Sequence, residues 1–320
     1  MILKYAINNL IIMLDEKKTS GKGTSTSSFG VSKRENHNSS KFYDSKLYRD
    51  LPKLLDKVNY IDNSDKIPKK ALDHIIQGDS RKMDLLPDNS VHLMITSPPY
   101  GVGKDYDDDL TLREYLSLLK CVLQETWRVL VPGGRAAINV ANVGRKPYIP
   151  LHAYIINIMQ EIGFHMRGEI IWNKSASAGV STAWGSFASA SNPCLRDVHE
   201  YILVFSKLTN KLEKENKTNT IKKDNFVEWS KSIWTFPAAS AKRIGHPAPF
   251  PEELPHRLIE FYSYEGDVIL DPFIGSGTTA IAALKQKRHY VGYEISKEYY
   301  ELANNRINDV KNQKSIDSFI

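Results

Sequence analysis

Asp267-Val268-Ile269-Leu270-Asp271-Pro272-Phe273-Ile274-Gly275-Ser276-Gly277-Thr278-Thr279 passes from a short apolar run through a glycine pair into Ala280–Leu284, whose composition favours a helix. The order is strand, turn, helix. Glycines at such a turn let a ligand approach the backbone, and the amides and Thr hydroxyls that open the helix offer hydrogen-bond donors. A second apolar run, His289–Tyr293, ends in Glu294, nineteen residues beyond Gly275, where a carboxylate can accept from both hydroxyls of a ribose. A lone GxG is common in ordinary turns; the acid at the end of the next strand makes this one a candidate nucleoside cradle.

The type of nucleoside follows from charge. An ATP-type phosphate loop does not fit, because Thr278 stands where GxxxxGK[ST] requires Lys. A dinucleotide loop fits poorly, since the third glycine is absent and Asp271 would set a negative charge against a pyrophosphate. A carboxylate-rich cradle suits a cationic ligand, and S-adenosyl-L-methionine carries both a sulfonium and an ammonium.

Outward from this stretch, apolar runs bounded by Gly, Pro and Asp alternate with helix-period segments from about Leu72, which predicts βαβ units and an α/β fold with a mostly parallel sheet. Val91–Ile95 reads as a buried strand. Leu112–Leu130 reads as a helix, stopped by Pro132-Gly133-Gly134 before a strand at Ala136–Val140. Leu151–Ile162 repeats the helical pattern, Gly163 ends it, and Glu169–Trp172 and Tyr201–Phe205 are further strands. Lys174–Arg196, rich in Ser, Ala and Gly with Trp184 and Phe187 interleaved, has the composition of a binding loop. Lys207–Glu228 is a second polar excursion, whose cations either line a phosphate-facing surface or are simply solvated.

The strand Val91–Ile95 runs into Thr96-Ser97-Pro98-Pro99-Tyr100-Gly101. Two consecutive prolines stiffen the backbone and remove donors, so the carbonyls of Ser97 and Pro98 can be aimed outward. Ser97 adds a hydroxyl and Tyr100 a flat face. Such a corner can hold the exocyclic amine of a nucleobase: Ser97 Oγ and the Pro98 carbonyl would accept its two hydrogens, pointing the nitrogen lone pair at a methyl donor, while Tyr100 stacks on the ring. A base inside a duplex must first be flipped out. A bare proline turn at a strand end is an equally good reading of these four residues taken alone.

Taken together, Thr96–Tyr100 and Asp271–Thr279 resemble the motifs of the amino-methyltransferase family, the N4-cytosine and N6-adenine DNA methyltransferases. Gly78-Asp79, Arg128–Gly134, Ile171–Lys174, His199–Leu203 and His246–Pro251 resemble further family motifs, in the family's order. The resemblance covers roughly residues 78–305, and the catalytic motif precedes the cofactor motif, the arrangement called the β class. It implies a Rossmann-like S-adenosylmethionine-dependent methyltransferase fold, with helices on both faces of the sheet and inserted target-recognition loops. The implied catalytic residues are Ser97, Pro98, Pro99 and Tyr100. The implied cofactor-binding residues are Asp271, Phe273, Gly275, Gly277, Thr278, Glu294, Phe250 and Asp79. Members with Ser at the first position of the catalytic motif resemble the cytosine-N4 enzymes, and those with Asp more often act on adenine.

This organises the chain into a basic, polar, partly mobile extension over 1–67, a methyltransferase domain over 68–310 and a C-terminal tail over 306–320. Within the domain lie a catalytic half at 72–173, recognition insertions at about 174–198 and 207–245, and a cofactor half at 246–305. At 320 residues the chain exceeds the roughly 250–300 at which single cores stop growing, which leaves room for such additions.

The formal charge of +6 makes a polyanionic partner plausible, and double-stranded DNA is the expected one. Lys174, Trp184 and Arg196 are candidate DNA contacts. A cognate restriction endonuclease is a further candidate partner, and the oligomeric state is open. Cys121 and Cys194 form no ligand-like pattern, and His246 and His256 have no ligand-like neighbours, so neither a disulfide framework nor a metal is expected. Met1–Leu14 is too short and too interrupted for the roughly 20 residues of a spanning helix, which predicts a cytoplasmic protein.

Three rival readings remain. Pro193-Cys194 resembles the nucleophile of carbon-5 cytosine methyltransferases, but it precedes the glycine motif, whereas that family places it after. Similar Pro-Pro-Tyr loops also serve enzymes acting on RNA or on protein amides. A binding module with a decayed site would show gaps in the motifs, and none is present.

Overall fold

The computed structural model describes residues 46–48, 54–99, 110–144, 146–175, 185–214, 216–239 and 250–317. The chain divides into two compact units, Met1–Lys53 and Leu54–Ile320. Of the first, a 3-10 turn at Lys46–Tyr48 is described. The second takes in residues 54–67, expected as extension: Ile67 is buried in its core, and Asp62 accepts a hydrogen bond from the His92 ring at 2.8 Å.

Along the second unit run β1 (His74–Gln77), β2 (Val91–Thr96), α1 (Leu112–Val129), β3 (Leu130–Val140), α2 (Leu151–Ile162), β4 (His165–Asn173) and β5 (His199–Ser206). They are followed by α3 (Lys223–Trp229), β6 (Ile233–Thr235), α4 (Glu253–Tyr262), β7 (Val268–Asp271), α5 (Thr278–Lys285), β8 (His289–Glu294) and α6 (Lys297–Asp317). The strands form one sheet in the order β1-β8-β7-β2-β3-β5-β4-β6. The first five in that order are parallel, β5 is antiparallel to β3 and β4, and β6 is parallel to β4.

Local chemistry accounts for the elements around the site. All six residues of β2 are buried, as expected of a strand at the middle of a sheet covered on both faces, and its two polar members, His92 and Thr96, are hydrogen-bonded. Helix α1 opens with a capping box, in which the Thr111 hydroxyl accepts from the Glu114 amide and the Glu114 carboxylate accepts from the Thr111 amide. Its inward residues Tyr115, Leu119, Val122, Leu123 and Thr126 follow the helical period. Helix α2 stops at Gly163, whose φ of 114° lies in the left-handed region. Helices α1 and α2 cover one face of the sheet and α4, α5 and α6 the other, giving two hydrophobic layers.

Three features of the sheet and its connections differ from the expectations. Pro132-Gly133-Gly134 does not separate helix from strand: β3 starts at Leu130 and runs through it as a bulge, since Val91 pairs with Leu130 and Leu93 with Arg135. Gly133 has φ 78°, and a Cβ there would lie 2.0 Å from the Lys211 carbonyl oxygen, so no larger residue fits. Second, Lys207 and Lys217 of the polar excursion point inward. Lys207 Nζ donates to the Leu130 carbonyl at 2.6 Å and to Asn89 Oδ1 at 2.9 Å, and burial pushes its pKa down to about 8. Lys217 Nζ sits 2.8 Å from buried Asp267. Third, part of the stretch 207–245 is sheet, because β6 extends the edge beside β4, and Trp229, Trp234 and Phe236 in and around it are buried. The tail expected from 306 continues α6, with Ile307 buried. Among the described residues no helix is long and apolar enough to cross a membrane.

Candidate active site

The helix after β7 leads to β8 on one side, whereas the helix after β2 leads to β3 on the other, so the crossovers diverge between β7 and β2. At such a switch point the carboxyl ends of the strands open a crevice. The glycine turn leaves β7 there and the Ser97 corner leaves β2.

These two segments are joined directly. Thr96 Oγ1 donates to Asp271 Oδ1 at 2.7 Å, and Thr279 Oγ1, in the first turn of α5, donates to Asp271 Oδ2 at 2.6 Å. The Phe273 amide also donates to Oδ1, at 3.1 Å. Asp271 is thus a buried clamp whose two oxygens serve the end of β2 and the first turn of α5. Burial pushes its pKa up to about 6 against the three hydrogen bonds, and the charge of Glu294 adds to the rise.

The turn itself needs its glycines. Gly275 and Gly277 have φ of 49° and 81°. A Cβ on Gly277 would come 3.1 Å from the Ala303 Cβ of α6. The Gly275 amide donates to Glu294 Oε2 at 3.0 Å, and the Ser296 amide to Oε1 at 2.8 Å, so the acid at the end of β8 is fixed against the turn. Burial raises the Glu294 pKa above the ordinary carboxylate value, although the amides of Ser296 and Gly275 oppose the rise. Phe273 is half-buried against the core layer of α1 and α2.

Around this centre, Asp79 follows β1, whose end lies beside that of β8: the Gly78 amide donates to the Glu294 carbonyl at 3.0 Å. Asp79 itself is engaged by Arg81, which bonds Oδ2 at 2.8 Å through Nε and holds the carboxyl below its usual range. A cleft of about 600 Å³ opens at the start of α5, lined by Ala238, Phe250, Pro251, Thr278, Leu302 and Arg306 among others. Phe250 and Thr278, both expected at the cofactor, therefore share one cavity.

In the corner after β2, Ser97 and Pro99 are half-buried and Pro98 is buried; Tyr100 lies outside the described residues. Of the candidate DNA contacts, Lys174 is half-buried and paired with Glu200 at 2.5 Å, over the Trp172 ring. Arg196 is half-buried in the irregular segment before β5, and Trp184 lies outside the described residues. The same segment exposes Phe187 and Leu195. Cys194 is half-buried, its Sγ 3.9 Å from the Asn192 carbonyl. Among the described residues no group of His, Cys, Asp and Glu could hold a metal ion.

Sequence reasoning missed the parts played by Thr96, Thr279 and Arg306. The two threonines had a signal, since each stands next to a residue singled out for chemistry. Arg306 had none, being one cation on a polar helix.

Residues 91–305 match the N6/N4 methyltransferase family model, described as DNA methylase. The type II methyltransferase M.MjaI of Methanocaldococcus jannaschii is 34% identical over 277 residues, covering 73% of this chain and 90% of its own. M.BglII of Bacillus subtilis is 31% identical over 264 residues, covering 78% and 72%. Among solved structures, TTHA0409 of Thermus thermophilus superposes with a TM-score of 0.62 at 33% identity, over 74% of this chain and 94% of that one. TTHA0409 has also been solved complexed with S-adenosyl-L-methionine, to which this chain is similar with a TM-score of 0.60 at 31% identity. The PvuII cytosine-N4-specific DNA methyltransferase shares the fold, with a TM-score of 0.57 at 19% identity over 77% and 95% of the two chains. The mostly parallel sheet covered on both faces is therefore the methyltransferase fold, and the chain belongs to the N6/N4 DNA methylase family.

Proposed function

We propose that this DNA methyltransferase transfers a methyl group from S-adenosyl-L-methionine to the exocyclic N4 amine of cytosine in duplex DNA, acting on a flipped-out base. The observation that carries the reading is the Thr96–Asp271–Thr279 clamp, which ties the Ser97 corner to the glycine turn at one crevice.

The residues fit the cofactor. A half-buried carboxylate at the end of β8 suits ribose hydroxyls, Phe250 and Thr278 share a cleft of about 600 Å³, and the left-handed glycines allow close approach. When bound, S-adenosyl-L-methionine supplies a methyl group made electrophilic by its sulfonium. Ser97 Oγ and the Pro98 carbonyl accept the hydrogens of the amine and orient its lone pair, and Tyr100 stacks on the ring. Glu294 accepts from the ribose, Gly275, Gly277 and Phe273 shape the floor beneath it, and Asp271 holds that floor to the catalytic strand. Asp79 flanks the nucleoside end from β1. The excess proton of the methylated amine passes to water. Lys174, Trp184 and Arg196 contact DNA, and the type II names of the relatives support a cognate restriction endonuclease as partner.

The choice of cytosine rests on Ser97, because the corner begins with a neutral hydroxyl rather than a carboxylate. To test it, the purified protein is incubated with DNA and methyl-labelled cofactor, and the digested nucleosides are identified by mass. Label is expected in N4-methylcytosine; label in N6-methyladenine would overturn the choice of base, and label in neither amine the reaction. In the same assay Cys194→Ala is expected to keep turnover within about twofold, since direct transfer needs no thiol adduct.

Glu294 gives a pH prediction. The ionised carboxylate accepts from the ribose, and burial raises its pKa, so cofactor affinity is full at neutral pH and is lost as the pH falls through a midpoint above 4.5. Glu294→Gln should weaken binding about 10- to 100-fold at pH 7, the range for a hydrogen bond to a charged group, and should flatten the pH dependence. Calorimetric titration at several pH values measures both; an unchanged profile in the variant would place the ribose elsewhere.

A further inference from the structure

The cleft at the start of α5 holds a cation that the reaction scheme does not use. Arg306, on α6, is half-buried and lines this cleft together with Thr278 and Phe250. Its Nη1 donates to the Ser276 carbonyl of the glycine turn and lies 3.4 Å from Thr278 Oγ1. Both partners are neutral, and both bonds use the same nitrogen. Among the described residues the hydrogens on Nη2 and Nε meet no acceptor, and no carboxylate lies within ion-pair distance of the guanidinium, on which Glu252 acts only through its charge. Glu252, the acid on the same cleft wall, is itself paired with Lys285 at 2.8 Å.

A half-buried guanidinium without a carboxylate is costly unless a ligand supplies one, because burial removes water from the charge while neutral acceptors return little of it. A second feature favours the same sign of ligand. Helix α5 begins at Thr278, and its N-cap Gly277 has no side chain to bond the amides of the first turn. A carboxylate seated between them and Arg306 could take two parallel hydrogen bonds from the guanidinium edge.

S-adenosyl-L-methionine carries one carboxylate, at the end of the molecule opposite the adenosine. Glu294 is held at the Gly275 amide and would repel that group, so the charges of the site favour a ligand with its ribose toward β8 and its amino-acid end toward α5. We propose that Arg306 is a cofactor-binding residue that recognises the methionine carboxylate of S-adenosyl-L-methionine while its tie to Ser276 keeps the glycine turn in register. This rests on the cofactor assigned above.

The test separates the carboxylate from the rest of the ligand. Wild-type protein, Arg306→Lys and Arg306→Gln are titrated calorimetrically with S-adenosyl-L-methionine, with S-adenosylhomocysteine, and with 5′-methylthioadenosine, which lacks the amino-acid end. Arg306→Gln is expected to weaken the first two about 10- to 100-fold and to leave 5′-methylthioadenosine within about twofold, with Arg306→Lys between. Equal weakening of all three ligands would show that Arg306 only supports the turn, and no weakening would remove it from the site; either overturns the inference. Should Arg306→Gln fail to fold, wild-type protein is titrated with decarboxylated S-adenosylmethionine, which must bind about 10- to 100-fold more weakly than the parent for the inference to stand. Failure of the wild-type protein to bind S-adenosyl-L-methionine at all would instead overturn the cofactor assignment.

Discussion

Replacing Ser97 with alanine is expected to lower the rate of methyl transfer about 100- to 1000-fold while leaving cofactor affinity within about twofold. The magnitude is that of removing one preorganised hydrogen-bond partner from a developing charge. In the proposed reaction the nitrogen becomes cationic as the amine attacks, and the Ser97 hydroxyl and the Pro98 carbonyl would stabilise its hydrogens more strongly in the transition state than in the ground state. The effect should therefore appear in kcat, with little change in KM for DNA. Cofactor affinity is spared because the contact between strand ends runs through the neighbouring Thr96, whose hydroxyl is buried and bonded to Asp271. Ser97 is half-buried at the end of β2, so deleting one oxygen leaves the six buried strand residues packed. Single-turnover transfer from labelled cofactor, with a parallel calorimetric titration, measures the two quantities separately. A variant within threefold of the wild-type rate would remove the hydroxyl from the chemistry.

How far the site was legible depends on whether each signal was local. The strand, turn and helix around Gly275 could be read because their signals lie within a dozen residues, and the same holds for β2 and the corner that follows it. Gly163 stopped α2 as expected because a left-handed helix end is a one-residue requirement. What escaped was set by partners far along the chain. Pro132-Gly133-Gly134 looks like a helix stop and is a bulge in β3, since the left-handed glycine there donates to the Lys207 carbonyl, a strand end away. Lys207 and Lys217 look like solvated cations and are interior, the first answering carbonyls beside that bulge and the second answering buried Asp267. Asp271 could be singled out from its place before the glycine turn. That its carboxylate would be consumed by Thr96 and Thr279 depends on β2 and β7 being neighbours, which only the completed sheet determines.

The consequence for Asp271 is large, and two substitutions distinguish its two attributes. Asp271→Ala leaves the Thr96 and Thr279 hydroxyls and the Phe273 amide with no acceptor in a fully buried position, at about 1–3 kcal/mol for each group that finds no other partner. A loss of about 3–5 kcal/mol is expected, together with loss of measurable cofactor binding as the turn comes away from β2. Asp271→Asn keeps an acceptor for Thr96 and Phe273 and presents an amide to Thr279 Oγ1, so the clamp persists without its charge. That charge has a signature of its own. Burial raises the folded-state pKa from 3.8 to about 6, so the proton is held more tightly in the folded chain than in the unfolded one. The contribution of this group to stability is therefore fullest below about 3.8 and is lost as the pH rises through about 6, by an amount on the order of 3 kcal/mol. Asp271→Asn should abolish that part of the pH dependence, making the variant more stable than the wild type at pH 7 relative to their difference at pH 4. Denaturant unfolding at the two pH values measures the double difference, and equal slopes in both proteins would mean that Asp271 is not the group that titrates. If Asp271→Asn also keeps cofactor binding while Asp271→Ala loses it, the clamp works through hydrogen-bond geometry and the negative charge is dispensable, in keeping with the full burial of this carboxylate against Thr96 and Thr279.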